Sequence, residues 1–310
     1  MQQTYDPRND DLVVNIDGEL LHRDDAKISV FDSLVQGGDG CWEGLRVYDG
    51  RIFRLARHLE RLRHSALALG FTLIPEEATI RRELARTLAA NGMHDGVHIR
   101  LTLSRGRKIT SGMDPRLNRF GPTLIVLAEY KAPVYERGGL RLVTSSLRRF
   151  SPDTLDPKIH HNNLLQSILA KLEANAAGAD DAVMLDGRGF VAETNATHLF
   201  LVEAGVVRTP RTVACPEGVT RAAVLDLCRR EGLPYDVEDL SLAEFHRADE
   251  VFCTGTMGEL ASVVELDGRR VGDGGVGPLT ARLSEAYGRL VVAESEAVWD
   301  GGPGDAERSG

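Results

Sequence analysis

Four short stretches carry side chains that chemistry could use. Lys158 stands in Leu155-Asp156-Pro157-Lys158-Ile159-His160-His161, after a proline and before an apolar segment, so local structure holds it. Glu193 closes the strand-like run Phe190-Val191-Ala192. Gly218-Val219-Thr220 opens an apolar-periodic segment, and a helix start of this kind offers backbone N–H groups and a hydroxyl to an anion. Thr254-Gly255-Thr256-Met257 forms a second strand-to-turn cluster of N–H groups. Taken singly, each has an ordinary reading: lysine and glutamate are mostly exposed, and threonine is a common helix cap. Together they suit one cofactor. Pyridoxal phosphate needs a lysine to form an imine with its aldehyde, an acid at its pyridine nitrogen, and an anion cradle for its phosphate. Competing phosphate and metal motifs are absent: no strand-linked GxGxxG, no GxxxxGK[ST], no HExxH and no EF-hand loop. His160-His161 has no further ligand at metal spacing, so no metal is expected.

The elements that must position these groups are legible from pattern. Leu55, Leu59, Leu62, Ala66 and Leu69 recur at helical spacing, which predicts an amphipathic helix over 55–69 stopped at Gly70. A second helix follows Pro75 through Ile80, Leu84 and Leu88 to Asn91-Gly92. Strands are expected at Val97–Leu103, Thr123–Ala128, Leu140–Ser145, Val183–Leu185, Phe190–Ala192, Leu199–Val202, Val206–Val207 and Glu250–Cys253. Further helices are expected from about Asn162 to Ala177, from the 218–220 turn to Arg230, and over 278–294. Asp17-Gly18, Asp49-Gly50, Asp186-Gly187, Ala204-Gly205 and Asp267-Gly268 are hairpin signals. The outline is α+β with hairpins dominating, not the alternation of a doubly wound sheet.

With 310 residues the chain has room for about two domains. The net charge of −9 argues against nucleic acid as a partner. No apolar stretch approaches the roughly 20 residues that span a bilayer, and MQQTYDPRNDD shows no secretory pattern. Cys41, Cys215, Cys228 and Cys253 have neither close pairing nor zinc spacing, so reduced thiols in a cytoplasm are expected.

In order, GDGCWEGLRVYDGRIFRLARHLERL (38–62), HIRLTLSRG (98–106), PKIHHNNLL (157–165), DGRGFVAETNATHLF (186–200), PEGVTRAAV (216–224), ADEVFCTGTMGEL (248–260) and DGRRVGDGGVGPLT (267–280) resemble the class IV aminotransferases, the fold type IV pyridoxal-phosphate enzymes. The resemblance implies an α+β chain of two domains, a smaller N-terminal α/β domain and a larger β-rich C-terminal one, with the cofactor between them. The corresponding division is 1–129, a linker at 130–139, 140–300, and a disordered tail at 301–310. It also implies a homodimer with shared active sites. By position, Lys158 resembles the imine-forming lysine and Glu193 the partner of the pyridine nitrogen, while Arg61, Gly218, Val219, Thr220 and Thr256 resemble the phosphate contacts. Arg54 and Arg57, on the same helix stripe as Arg61, read as solvated.

Trp42, His98, Arg100, Arg105, Thr256 and Met257 fall at substrate positions. His98-Ile99-Arg100 resembles the Tyr-x-Arg strand of the branched-chain enzymes, whose arginine reads the distal carboxylate of glutamate, and Gly44 and Gly112-Met113 follow that pattern too. Arg105 instead resembles the carboxylate-trapping arginine of the D-amino acid enzymes, without the histidine that follows it there. Asn163 replaces a tyrosine of the branched-chain group, and Gly37 an aromatic residue at the pocket. The expected activity is transfer of an amino group between an aliphatic, branched-chain-like amino acid and a 2-oxo acid such as 2-oxoglutarate. The alternatives are a D-amino acid or (R)-amine transaminase, an aminodeoxychorismate-type lyase, and a binding module without catalysis.

Overall fold

A computed structural model of the chain describes residues 5–132 and 139–298. The expected linker falls largely, and the expected tail wholly, outside the described residues. In chain order the elements are β1 (Val13–Ile16), β2 (Glu19–His22), α1 (Ser33–Gly37), β3 (Gly40–Tyr48), β4 (Arg51–Phe53), α2 (Leu55–Ala68), α3 (Glu77–Ala90), β5 (Val97–Ser104) and β6 (Thr123–Tyr130). There follow β7 (Leu140–Arg148), α4 (Leu165–Ala176), β8 (Asp181–Leu185), β9 (Val191–Thr194), β10 (His198–Glu203), β11 (Val206–Pro210) and α5 (Val219–Arg230). The last are β12 (Tyr235–Glu238), α6 (Leu242–Arg247), β13 (Glu250–Gly255), β14 (Glu259–Leu266), β15 (Arg269–Arg270), α7 (Pro278–Glu294) and β16 (Ser295–Ala297). They form two compact units. One takes the described residues of Gln2–Ala132, Ile159–Asn163 and Val292–Gly310, and the other those of Pro133–Lys158 and Leu164–Val291.

The first unit is an antiparallel sheet in the order β16-β4-β3-β5-β6-β1-β2. In β3 the side chains of Cys41, Glu43, Leu45 and Val47 are buried and alternate with partly exposed ones, so one face of the strand looks into the core. Leu59 and Leu62 of α2, Leu84 and Leu88 of α3, and Ile99 and Leu101 of β5 complete that core. Each such leucine stabilises the unit by about 1.5–3 kcal/mol when fully buried. Arg54 begins α2 from the left-handed region, with φ at 49°. Its guanidinium is not solvated as expected: Nε donates to Glu294 at 2.8 Å, and the side chain is largely buried. Arg57 is exposed and pairs with Glu60 on the helix surface. The strand β16, which the sequence pattern does not announce, lies beside β4, where Arg51 donates to the Ser295 carbonyl.

The second unit is a nine-stranded mixed sheet in the order β12-β11-β10-β13-β14-β7-β8-β9, with β15 paired to β14. β7 runs parallel to both β14 and β8. Strands β8 and β9 are buried along their whole length, as suits a sheet covered on both faces. α4 packs on β7 and β8, and α5 on β13. The expected helix start near Asn162 is corrected: α4 begins at Leu165. The preceding residues are engaged otherwise, since the Asn162 N–H donates to the Gly40 carbonyl at 2.9 Å and the Asn163 N–H to His161 Nδ1 at 3.1 Å. Ile159–Asn163 therefore belongs to the first unit, alongside the start of β3. The four cysteines are buried and free. No helix among the described residues is long and apolar enough to cross a membrane.

Candidate active site

In the second unit the chemical groups gather at the ends of β9, β10 and β13 and the start of α5. Lys158 follows buried Pro157, and its backbone N–H donates to Asp156 Oδ1 at 3.0 Å. Its side chain is half exposed, with Nζ 3.8 Å from Glu217 Oε1. Gly218, which has no side chain to cap with, is the N-cap of α5. A Cβ at Gly218 would stand 2.3 Å from the His198 ring, which explains the glycine by close approach. Val219 and Thr220, the first helical residues, are buried.

Glu193 on β9 is buried and accepts a hydrogen bond on Oε1 from Arg149 Nη2. His198 Nδ1 lies 4.0 Å from its other oxygen. Arg149 also donates to Ser167 Oγ at 3.0 Å, so the β7 end and α4 aim it at Glu193. One ligand atom each from Glu193, His198 and Cys215 falls within 4.8 Å of the others. The carboxylate in that group is already held by Arg149, and burial pushes the Cys215 thiol far above its ordinary range. Two polar atoms at this end have no partner among the described residues, the Thr254 hydroxyl and Arg149 Nε. Thr256 and Met257 occupy the turn after β13.

In the first unit a second group is built on β3 and β5. Trp42 and Arg100 lie on the same side of these paired strands, and the Arg100 guanidinium sits 3.6 Å above the Trp42 ring. Arg100 Nη2 donates to Asn162 Oδ1 at 3.0 Å. No carboxylate pairs with it among the described residues. Burial pulls its pKa down to about 10, which leaves it cationic at neutral pH. His98, two residues earlier on the same face, is pulled down to about 3 by burial and then by Lys131, Arg100 and Arg46. Its Nδ1 has no partner among the described residues.

On the core face, Glu43 is fully buried and receives the Arg61 guanidinium as a fork, Nε to Oε1 at 2.8 Å and Nη2 to Oε2 at 2.7 Å. His58 Nδ1 lies 2.7 Å from Oε2. Burial alone would raise the Glu43 pKa, but Arg61 and then His160 outweigh it and hold the carboxyl well below its usual range. Arg105 differs from Arg100 in kind. Its fork closes on Asp39 at 2.6 and 2.9 Å, it donates to the Leu69 carbonyl at 2.7 Å, and it lies over the Phe71 ring.

The partly buried imidazole of His98 makes stability depend on pH. Its folded pKa lies below the unfolded value, so the unfolded chain takes up the proton first as pH falls. The stability is whole above about pH 6.5 and drains away toward pH 3, with about 2 kcal/mol lost by pH 5. Denaturant midpoints at pH 7 and pH 5 should therefore separate more in the native chain than in His98→Gln. Equal separation in both would remove His98 as the cause.

Sequence reading missed Glu43, His58, Arg149 and His160 as members of these groups. Glu43 had a signal, a carboxylate among Cys41, Leu45 and Val47 on the inward period of a strand. Arg149 had none, because only the chain path brings it to Glu193.

The two-unit topology is that of the fold type IV pyridoxal-phosphate aminotransferases. Residues 40–266 match the family model for amino-transferase class IV, and the chain belongs to that family. It is 55% identical over 285 residues to branched-chain-amino-acid aminotransferase-like protein 2 of Arabidopsis thaliana, covering 92% of this chain and 51% of that protein. The chain thus spans about half the length of that relative. It is 38% identical over 289 residues to a putative branched-chain-amino-acid aminotransferase of Methanocaldococcus jannaschii, covering 93% of this chain and 99% of that protein. Among solved structures, the branched-chain aminotransferase of the thermophilic archaeon Thermoproteus uzoniensis with norvaline aligns with a TM-score of 0.86 and 28% identity, covering 93% of this chain and 100% of that one.

Proposed function

We propose that the protein is a pyridoxal-phosphate-dependent transaminase that passes an amino group from an aliphatic, branched-chain-like L-amino acid to a 2-oxo acid such as 2-oxoglutarate. The observation that carries the substrate reading is the contrast between two arginines. Arg100 is a partly buried cation whose partners among the described residues are an amide and an aromatic face, whereas the Arg105 fork is filled by Asp39. A partly buried cation with no carboxylate partner among the described residues suits the distal carboxylate of a dicarboxylate substrate. The D-amino acid and (R)-amine reading needs Arg105 to receive the carboxylate, and Asp39 already occupies that fork.

The residues present fit the cofactor. The N-cap of α5 is a glycine, with no side chain to occupy the helix start, and Gly218 lets His198 close on it. Buried Glu193 suits a protonated pyridine nitrogen, and the Thr254 hydroxyl and Arg149 Nε have no partner among the described residues. When bound, pyridoxal phosphate supplies an electron-accepting ring on which the amino group is exchanged. Gly218, Val219, Thr220 and Thr256 are assigned to its phosphate on the family motif, and so is Arg61, although its Nε and Nη2 are held by Glu43. Glu193 keeps a proton on the ring nitrogen, and the Arg149 clamp fixes the carboxylate in place. The Nζ of Lys158 is assigned first to holding the cofactor and then to carrying the proton that leaves the substrate Cα. Arg100 orients the acceptor, with Trp42, His98 and Met257 shaping the space around the side chain.

A second copy of the chain is also proposed. On α4, Leu165, Ile168, Leu169 and Leu172 recur at helical spacing and are all about half exposed or more, an apolar stripe that suits burial against a partner subunit. The test is one preparation assayed with L-amino acids, D-amino acids and (R)-amines, each with 2-oxoglutarate and with pyruvate. A sedimenting dimer that turns over L-leucine or L-isoleucine with 2-oxoglutarate is expected. Preferential turnover of D-alanine or an (R)-amine with pyruvate would overturn the substrate reading, and a fully active monomer the dimer.

A further inference from the structure

The Arg100 guanidinium is not aimed by an ion pair, yet it occupies one defined position. Its lower surface is the Trp42 ring, 3.6 Å away. The same ring stacks with His160, with centroids 4.4 Å apart and planes 25° from parallel. His160 in turn has its Nδ1 3.3 Å from Glu43 Oε1, and Glu43 is locked by Arg61 and His58. The backbone ties the same parts together. The Trp42 N–H donates to the His160 carbonyl at 3.0 Å, Trp42 Nε1 to the His161 carbonyl at 3.2 Å, and the His160 N–H to Ser65 Oγ at 3.0 Å. The loop that carries His160 also supplies Asn162, the amide that accepts from Arg100.

We infer that His160 is a positioning residue for substrate selection: stacked beneath Trp42, it fixes the ring on which Arg100 rests and so aims the guanidinium at a distal carboxylate. This rests on the reading of Arg100 as the carboxylate anchor. The physics favours the assignment. A guanidinium over an indole gains cation–π attraction that grows when both are desolvated, but only while the ring keeps its plane. Trp42 has one face for Arg100, and His160 packs against the indole as well, so the ring cannot swing without breaking an aromatic stack. His160 acts on the guanidinium through the Trp42 ring. Its loss should therefore alter discrimination between acids and spare the chemical step.

The experiment compares His160→Ala, the volume-matched His160→Leu and the ring-preserving His160→Phe in the holoenzyme, with Arg100→Ala alongside. Kinetics with 2-oxoglutarate and L-leucine are read together with calorimetric binding of glutarate and butyrate as unreactive di- and monocarboxylate probes. His160→Ala and His160→Leu should raise the KM for 2-oxoglutarate and the Kd for glutarate about fivefold, with kcat, the KM for leucine and the Kd for butyrate within about twofold. His160→Phe should restore the native values. An equal rise for di- and monocarboxylates, or no rise in either non-aromatic variant, overturns the role of His160 provided Arg100→Ala remains selective for dicarboxylates. If Arg100→Ala is itself unselective, the anchor reading is what fails, and the role of His160 falls with it.

Discussion

Lys158→Ala should lose at least about a thousandfold in kcat while keeping its fold. The size follows from the two tasks proposed for this one amine, holding the cofactor covalently and moving the proton at the substrate Cα, where a positioned base alone contributes about 10²–10⁴. The intact fold follows from the surroundings. The Lys158 side chain is half exposed, and its nearest charged group among the described residues is Glu217 at 3.8 Å, a contact too long and too wet to matter for stability. Circular dichroism and sedimentation of the variant should therefore match the native protein. The companion measurement is borohydride reduction of the native holoenzyme followed by peptide mapping. The cofactor mass belongs on the peptide containing Lys158, and a label on any other lysine would sink the assignment.

Arg100→Ala should raise the KM for 2-oxoglutarate by well over tenfold and that for leucine by less than about threefold. Removing one partner of a buried charge pair costs on the order of 2–5 kcal/mol, because the carboxylate that arrives finds no cation in a site already stripped of water. Leucine carries no distal carboxylate and does not meet that cost. Arg105→Ala should fail differently. It breaks the fork to Asp39 and the bonds to the Leu69 and Gly70 carbonyls, so it should lower stability by about 1–3 kcal/mol and leave the ratio of the two KM values unchanged. Steady-state kinetics of both variants with both substrates distinguish the roles. Equal losses for 2-oxoglutarate and leucine in Arg100→Ala would return the anchor question to Arg105.

How far the sequence could be read depended on the range of the signal. Helices α2, α3, α5 and α7 follow from apolar spacing and stop residues within their own span, and the expected boundaries lie within a few residues of those found. The hairpins at Asp17-Gly18 and Asp49-Gly50 are likewise local, since both aspartates take positive φ as their turns require. What escaped is what only long-range pairing decides. Asn162 and Asn163 look like the first turn of a helix, but Gly40 and His161 take their N–H groups first. The candidate site divides the same way. Lys158, Glu193 and Thr220 sit in short motifs that can be matched one by one, whereas Arg149 meets Glu193 only because β7 and β9 flank the same strand, β8. Glu43 is the intermediate case, betrayed by its period in β3 but given meaning only by Arg61, His58 and His160.

The last strand, β16, gives the first unit a peculiar birth. Its edge beside β4 is filled by Ser295–Ala297, and Arg51, Arg54 and Arg81 reach across to Ser295, Glu294 and Glu296. On a ribosome, residues up to 132 emerge before 295–297, with that strand edge open. The second unit, nested inside the first along the chain, can close before its host is whole. Closing a loop of some 240 residues is entropically cheap per residue but slow to search, so final docking of β16 should come late. Until then the nascent N-terminal sheet exposes an edge able to recruit a strand from a neighbouring chain. In this molecule translation order and assembly order are reversed at the ends, and a truncation of a few residues before 298 would leave a defect felt at residue 51.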